Sequence, residues 1–424
     1  MDPRTIRQTL CRALRARQDA ARGVANEKDF RGIFHGSGLG IRKDSGTGRI
    51  LRKFASCAVQ QRFCPSYEYV PPIPIMNEIR SELDFPFVDT PAPARSREIA
   101  PGVHWLRMPL PFALNHINLW LLTDGDGVAI VDCGLGNDAT RALWNAYFSG
   151  GHRTGNGGSP RVSRVVVTHS HPDHAGNAHW LTQRFGADLW ISLGEYFTAH
   201  AAGAAQAGFA GELQLEFLRR NGLEREWIER MKDRGRNYRR GVPDFPGTFC
   251  RLMDGQTLSI GAHPWRVMMG YGHSPEHAAL YCGSLGVLIS GDMVLPKITT
   301  NISVWTVEPL ANPLRLFFDS LDRYAALPED TLVLPSHGVP FRGLRKRVAQ
   351  LKVHHGVRLE DVRQACTSPK SAAEIVPTLF SRPMDPLQMF FAMGESIAHL
   401  HFLHAVGGVD RHVGADGIFR YVTA

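Results

Sequence analysis

Between Val103 and Gly338 the chain is built from short apolar runs set off by Gly, Asp and Pro: INLWLLTDGDGVAIVDCG, RVVVTHSH, ADLWIS, WRVMMGYGH, AALYCG, VLISGD and LVLPSHG. Such runs, bounded by turn residues, read as strands, and TDGDG reads as the hairpin turn between the first two. Segments of helical spacing alternate with them: NDATRALWNAYFS, HAGNAHWLTQRF and NPLRLFFDSLDRYAAL, the last opened by an asparagine cap. The fold class this predicts is α/β. From about 194 to 240 the strands stop and a charged, helix-rich insertion intervenes, either a cap over an active site or an exposed helical excursion. After Gly338 three helical segments and a last stretch, VDRHVGADGIFRYV, predict a small winged-helix domain whose wing turns at ADG.

Residues 1–75 have a different texture. They hold Arg-rich stretches, a Gly-rich patch and the proline cluster VPPIPI, with no sustained periodicity, and read as a disordered basic extension. A transit-type peptide, a basic tail and an upstream extension of the reading frame before Met76 are all compatible with that texture. The expected organisation is therefore an extension (1–75), a catalytic domain (76–342) with the insertion at 194–240, and the winged-helix-like domain (343–424).

Charge changes the picture only after it is located. The net charge of +8 suggests a nucleic-acid partner, but residues 1–75 carry 14 Lys/Arg against 6 Asp/Glu, and the rest of the chain carries 34 of each. The body is neutral, which favours a small-molecule substrate over nucleic acid. No apolar run approaches the roughly 18 residues of a membrane span. Seven scattered cysteines without a CxxC pair fit reduced thiols and a cytoplasmic location.

The candidate chemistry lies in VVVTHSHPDHAGNAHW, residues 165–180. In an extended chain His169, His171 and Asp173 share a side as the strand runs out, and His174 opens the next helix. Imidazole nitrogen and carboxylate oxygen suit zinc, and also iron or manganese. Later strand ends supply further lone donors, His273 in GHSPEH, Asp292 in SGD and His337 in PSHG, and their common placement predicts that one rim of the sheet collects them. Ser170 and Ser274 lie in no GxSxG setting, so a serine nucleophile is disfavoured.

In order, VDCG (Asp132), THSHPDH, GHSPEH, GD and SHG resemble the five motifs of the metallo-β-lactamase-fold hydrolases, over residues 98–340. Within that superfamily the chain is similar to the hydroxyacylglutathione-hydrolase-like group with a C-terminal winged helix. The resemblance implies a four-layer αββα sandwich. It also implies two divalent ions, zinc foremost: one on His169, His171 and His273, the other on Asp173, His174 and His337, with Asp292 bridging. Asp132 would hold a ligand in place, and Asp173 would also orient the nucleophile or relay its proton. A metal-bridging hydroxide would then attack an ester, thioester or lactone of a small molecule. Lys297 and Trp305, on the segment after Asp292, are candidate substrate contacts. Two other readings stay open: an endoribonuclease or phosphodiesterase of the same fold, and a winged-helix DNA-binding regulator with a vestigial metal site. Where related thioesterases read GHTPGH this chain has GHSPEH, and Glu276 is expected to add an acidic group near the mouth of the site.

Overall fold

The computed structural model describes residues 83–111, 114–150, 161–206, 208–232 and 238–424; the basic extension read at 1–75 lies outside them. Among the described residues the strands form two sheets and a terminal hairpin. The first sheet runs in chain order through β1 (Ser96–Ala100), β2 (Val103–Pro109), β3 (His116–Asp124), β4 (Gly127–Val131), β5 (Val162–Val166), β6 (Asp188–Ser192) and β7 (Cys250–Leu252). Its first four strands pair antiparallel and the last three add on in parallel. The second sheet has the order β12-β11-β10-β9-β8, built from β8 (Thr257–Ile260), β9 (His263–Gly270), β10 (His277–Cys282), β11 (Val287–Gly291) and β12 (Leu332–Pro335).

Side-chain alternation separates the layers. In β3, Trp120 and Leu122 point between the sheets to meet Trp265, Val267, Leu280 and Ile289, while Leu119 and Leu121 point outward against Trp144 and Leu181. Both faces of β3 are therefore covered, which is why it reads as a nearly continuous apolar run, interrupted by the buried Asn118. On the far side, Met268, Leu288 and Val333 meet Phe317 of the helix Pro313–Ala325 and Leu351 and Ile397 of the C-terminal helices. The architecture is an α/β sandwich of two sheets flanked by helices, with a C-terminal module of helices and a β-hairpin.

Local signals account for the element ends. Asn137 and Asn312 cap their helices by accepting from Thr140 N–H and Arg315 N–H. Ser371 and Glu374 form a reciprocal capping box, as do Asp385 and Gln388. The segment expected as one helix from His174 is two, Pro172–Ala175 and Ala178–Phe185, broken at Gly176–Asn177. The Gly176 site leaves no room for a Cβ, which would lie 2.2 Å from Gly136 N.

Among the described residues no helix is long and apolar enough to cross a membrane. The module contains the helices Leu344–Ala365, Ala372–Leu379 and Pro386–Ala405 and the hairpin Val409–Val413/Phe419–Thr423. It buries several neutral imidazoles. His399 donates from Nδ1 to Glu395 O at 2.8 Å and faces His355 Nδ1 at 3.3 Å, and His401 donates to Ala311 O at 2.8 Å. Burial first, then the nearby His354 and Arg358, holds His399 down to about 4; burial, Arg411 and His404 do the same for His401.

The unfolded chain therefore takes up protons that the fold refuses once pH falls below the ordinary histidine range, about 6.5. Stability is full above that value, falls by about 1.4 kcal/mol per pH unit for each such imidazole, and levels off below about 4. Thermal melts between pH 8 and pH 4.5 check this. His401→Gln is expected to lose less stability than the unaltered chain over that interval, and parallel curves would contradict it.

Candidate metal centre

Ligand-type side chains gather where strands of both sheets end. His169, His171, Asp173 and His174 follow β5, His273 lies between β9 and β10, Asp292 follows β11 and His337 follows β12. Backbone bonds stitch this rim across the two sheets. Ala278 N–H donates to Thr168 O at 2.8 Å, Asn118 N–H to Ser336 O at 2.7 Å, and the buried Asn118 amide to Pro335 O and Gly338 O.

The donors form two groups, His169, His171, His273 and Asp292, and Asp173, His174 and His337. In the first, His169 Nε2 lies 2.9 Å from His171 Nδ1 and 3.2 Å from His273 Nε2. In the second, His337 Nε2 is 3.5 Å and His174 Nε2 3.8 Å from Asp173 Oδ2. Asp292 faces both: Oδ2 is 3.5 Å from His273 Nε2, and Oδ1 is 3.6 and 3.5 Å from His174 and His337 Nε2.

The opposite nitrogen of each of four rings is occupied by the protein. His174 Nδ1 donates to Asp132 Oδ2 at 2.8 Å, His337 Nδ1 to His116 O at 2.8 Å and His273 Nδ1 to Asn301 O at 2.9 Å. Thr168 gives its hydroxyl proton to Asp132 Oδ2, leaving its oxygen to accept His169 Nδ1–H at 3.1 Å. With the proton on Nδ1, each Nε2 is a bare lone pair aimed inward. His169 and His273 thus point lone pairs at each other, and buried His174 Nε2 and Asp292 Oδ1 have no hydrogen-bond partner. Buried polar atoms are rarely left so. Converging lone pairs ~3 Å apart are what ligands ~2.0–2.1 Å from a common cation present to one another. The donor set fits divalent metal ions.

Electrostatics divide the two groups. Burial, then the neighbouring imidazoles, holds His169 and His171 well below the ordinary histidine range, which keeps them neutral. Burial also opposes charge on His174, but Asp132, Asp173 and Asp292 overcome it and push that ring well up; His337 is raised in the same way, chiefly by Asp292, so the carboxylates on this side favour positive charge at these two Nε2 atoms, which a proton or, in its place, a metal ion would supply. Burial would raise Asp292, yet His337 and His174 pull it well below the usual carboxylate range.

Of the supporting residues, Glu195 and Tyr238 carried no sequence signal. Fully buried Glu195, on the helix Leu193–Gly203 that opens the insertion, accepts from Ser170 N–H and Glu276 N–H, at 2.9 Å each. Tyr238 donates to Ser170 O at 2.6 Å. The peptide between His169 and His171 is therefore clamped from both sides by the insertion, which is more than an exposed excursion. Glu276, expected as an acid at the mouth, spends its carboxylate on Gly194 N–H at 2.8 Å. His277 is buried and held down to about 3, mainly by burial, and its Nε2 accepts Asp292 N–H at 3.2 Å. Its ring packs where a Cβ on Gly291 would sit, and Gly291 also has φ +54. His116, a lone histidine in the sequence, holds the 337–338 segment by its carbonyl and by accepting Gly338 N–H on Nε2. Lys297 is exposed, and Trp305 packs among Phe209, Phe390 and Phe391 with ring centroids 5.7–6.4 Å away.

The sequence profile of the Metallo-beta-lactamase superfamily matches residues 114–337, which carry every one of these donors. The chain belongs to the metallo-β-lactamase superfamily. A second profile, Metallo-beta-lactamase-like, C-terminal domain, matches residues 359–424 of this superfamily member. A beta-lactamase domain protein from Burkholderia ambifaria is similar at 48% identity and a TM-score of 0.74, covering 81% of this chain and 98% of that one. A metallo-beta-lactamase family protein from Thermus thermophilus is similar at 30% identity and a TM-score of 0.63, covering 77% and 100%. A Bacillus subtilis (strain 168) protein named "Probable metallo-hydrolase YqjP" is 25% identical over 308 residues, 71% of this chain and 91% of the relative.

Proposed function

We propose that the protein is a binuclear metal-dependent hydrolase acting on an ester, thioester or lactone of a small molecule, in the manner of the hydroxyacylglutathione-hydrolase-like group. The observation that carries this reading is the set of inward Nε2 lone pairs whose Nδ1 protons are all taken by the protein. His169, His171 and His273 would hold one ion and Asp173, His174 and His337 the other, with Asp292 shared. Divalent ions held there, zinc foremost, would supply Lewis acidity that makes water nucleophilic at neutral pH and polarises a carbonyl.

The chain's own residues do the positioning. Asp132, His116 and Asn301 keep the imidazoles in the donor tautomer that leaves Nε2 free. Asp173 is the more open of the two facing carboxylates, its side chain 19% exposed against 11% for Asp292. That greater exposure supports a role for Asp173 in orienting a nucleophile and passing its proton toward solvent. Lys297 and Trp305 are the proposed contacts of the substrate's leaving or acyl portion. The neutral body supports a small-molecule substrate, and the name of the Bacillus subtilis relative, "Probable metallo-hydrolase YqjP", supports metal-dependent hydrolysis.

Elemental analysis of the purified chain is expected to find two ions per chain. Turnover of a thioester or lactone panel is expected to vanish with chelator and return when zinc is restored. RNA cleavage in place of thioester and lactone turnover would replace this reading with that of a nuclease, and a chain without metal would end it.

A further inference from the structure

The segment that leads on from Asp292 is gripped at two places by the C-terminal helices. Arg347, on Leu344–Ala365 and only 7% exposed, donates to Leu295 O at 2.6 Å and Ile298 O at 2.7 Å. Two helices further on, on Pro386–Ala405, Gly394 O accepts Val304 N–H at 3.1 Å and Glu395 Oε2 accepts Asn301 Nδ2–H at 3.0 Å. Ser303 adds a 2.7 Å bond from its hydroxyl to Asn301 Oδ1, so both ends of the Asn301 amide are held. The approach is close enough that a Cβ on Gly394 would sit 2.7 Å from Ser303 Cβ.

Asn301 matters because its backbone carbonyl accepts His273 Nδ1–H. That bond selects the tautomer and sets the plane of the ring. Asn301 lies outside the strands, so its carbonyl is placed by its own side-chain bonds together with the grips on Ile298 and Val304 on either side. The other two main-chain or carboxylate acceptors are better anchored: His116 O belongs to β3, and Asp132 directly follows β4.

We propose that Glu395 is a positioning residue for the metal centre: it fixes Asn301, and through the Asn301 carbonyl it fixes the imidazole of His273. The C-terminal module is thereby a working part of the first metal position, a role that rests on the reading of His273 as a ligand. Burial pushes the Glu395 carboxyl up to about 7, against the Asn301 bond and Arg358. In either protonation state an oxygen remains to accept from Asn301, and a glutamine at 395 keeps such an oxygen too.

The test uses the full chain, freed of metal and titrated with Co²⁺ by absorption and with Zn²⁺ against a chromophoric chelator. Asn301→Ala and Glu395→Ala are expected to weaken one of two ions by ~10–100-fold, the usual cost of losing a partner behind a ligand, and to alter the Co²⁺ spectrum. The other ion stays within a few-fold of the unaltered chain, which also reports that the fold is intact. Glu395→Gln is expected to restore the first ion. Unchanged affinity in both alanine variants, equal weakening of both ions, or a glutamine variant as weak as the alanine one overturns the proposal. Should Glu395→Ala fail to fold, Asn301→Ala decides, because it leaves the helix untouched. An unaltered chain that binds no ion brings down the metal reading itself, whereas normal binding in every variant brings down only the role of Glu395.

Discussion

Asp292→Ala is expected to lower kcat/KM on any substrate the protein turns over by about 10³-fold or more, some 4 kcal/mol of transition-state stabilisation. The reason is positional. Asp292 is the residue whose two oxygens face both donor groups, so its loss removes a negative donor from each. The same variant supplies a readout independent of activity. A bound ion stabilises the folded chain by mass action, ~4 kcal/mol when its concentration is a thousandfold above Kd. Chelator is therefore expected to lower the melting temperature of the unaltered chain by several degrees and to leave that of Asp292→Ala nearly where it was. Equal chelator shifts in the two proteins would remove Asp292 from the centre.

The second large effect is expected at Asp132, which lies outside the two donor groups and bonds to one of their members, His174. Its Oδ1 accepts Thr168 N–H at 2.8 Å, and its Oδ2 accepts the Thr168 hydroxyl and His174 Nδ1–H. It holds these with φ +62, a left-handed conformation that aspartate tolerates better than most residues. Asp132→Ala keeps the backbone strain, abandons three buried donors and is expected to cost about 3 kcal/mol or more of stability. Asp132→Asn separates folding from chemistry. The amide oxygen can still accept Thr168 N–H, but its NH₂ meets the His174 Nδ1–H, donor against donor, and drives the proton to Nε2. That variant is expected to melt close to the unaltered chain while binding the second ion ~10–100-fold more weakly. Metal titration checks it, and full affinity in the asparagine variant would show that His174 needs no such support.

The donors are easy to recognise in the sequence because four of them fall within six residues behind a valine run and the others each end an apolar strand. The supports are not. His273 and His337 are each held by a backbone carbonyl, of Asn301 and His116, and any residue type offers one. Glu195 and Glu395 sit in helical stretches where a lone acid reads as a solvated charge, yet each reaches inward to a segment distant in the chain. Among the strands, β7 and β8 went unread because three or four residues, Cys250–Leu252 and Thr257–Ile260, are too short to show a period. Ser96–Ala100 and Val103–Pro109 carry too mixed a pattern to stand out from a loop.

The sequence by itself determined the secondary-structure rhythm, the α/β class and the identity of the metal-type donors. Those follow from local steric preferences, from burial on a strand face and from residue chemistry at short spacing. Only the tertiary structure decided which nitrogen of each imidazole is free, that Asp292 faces both groups, that the insertion holds the loops bearing His169, His171 and His273, and that the C-terminal helices hold the Asn301 segment behind His273. These depend on hydrogen bonds between segments up to about 220 residues apart, such as His116 with Gly338. A proton's position on a ring is set by what lies across from it in space, and spacing along the chain does not encode that.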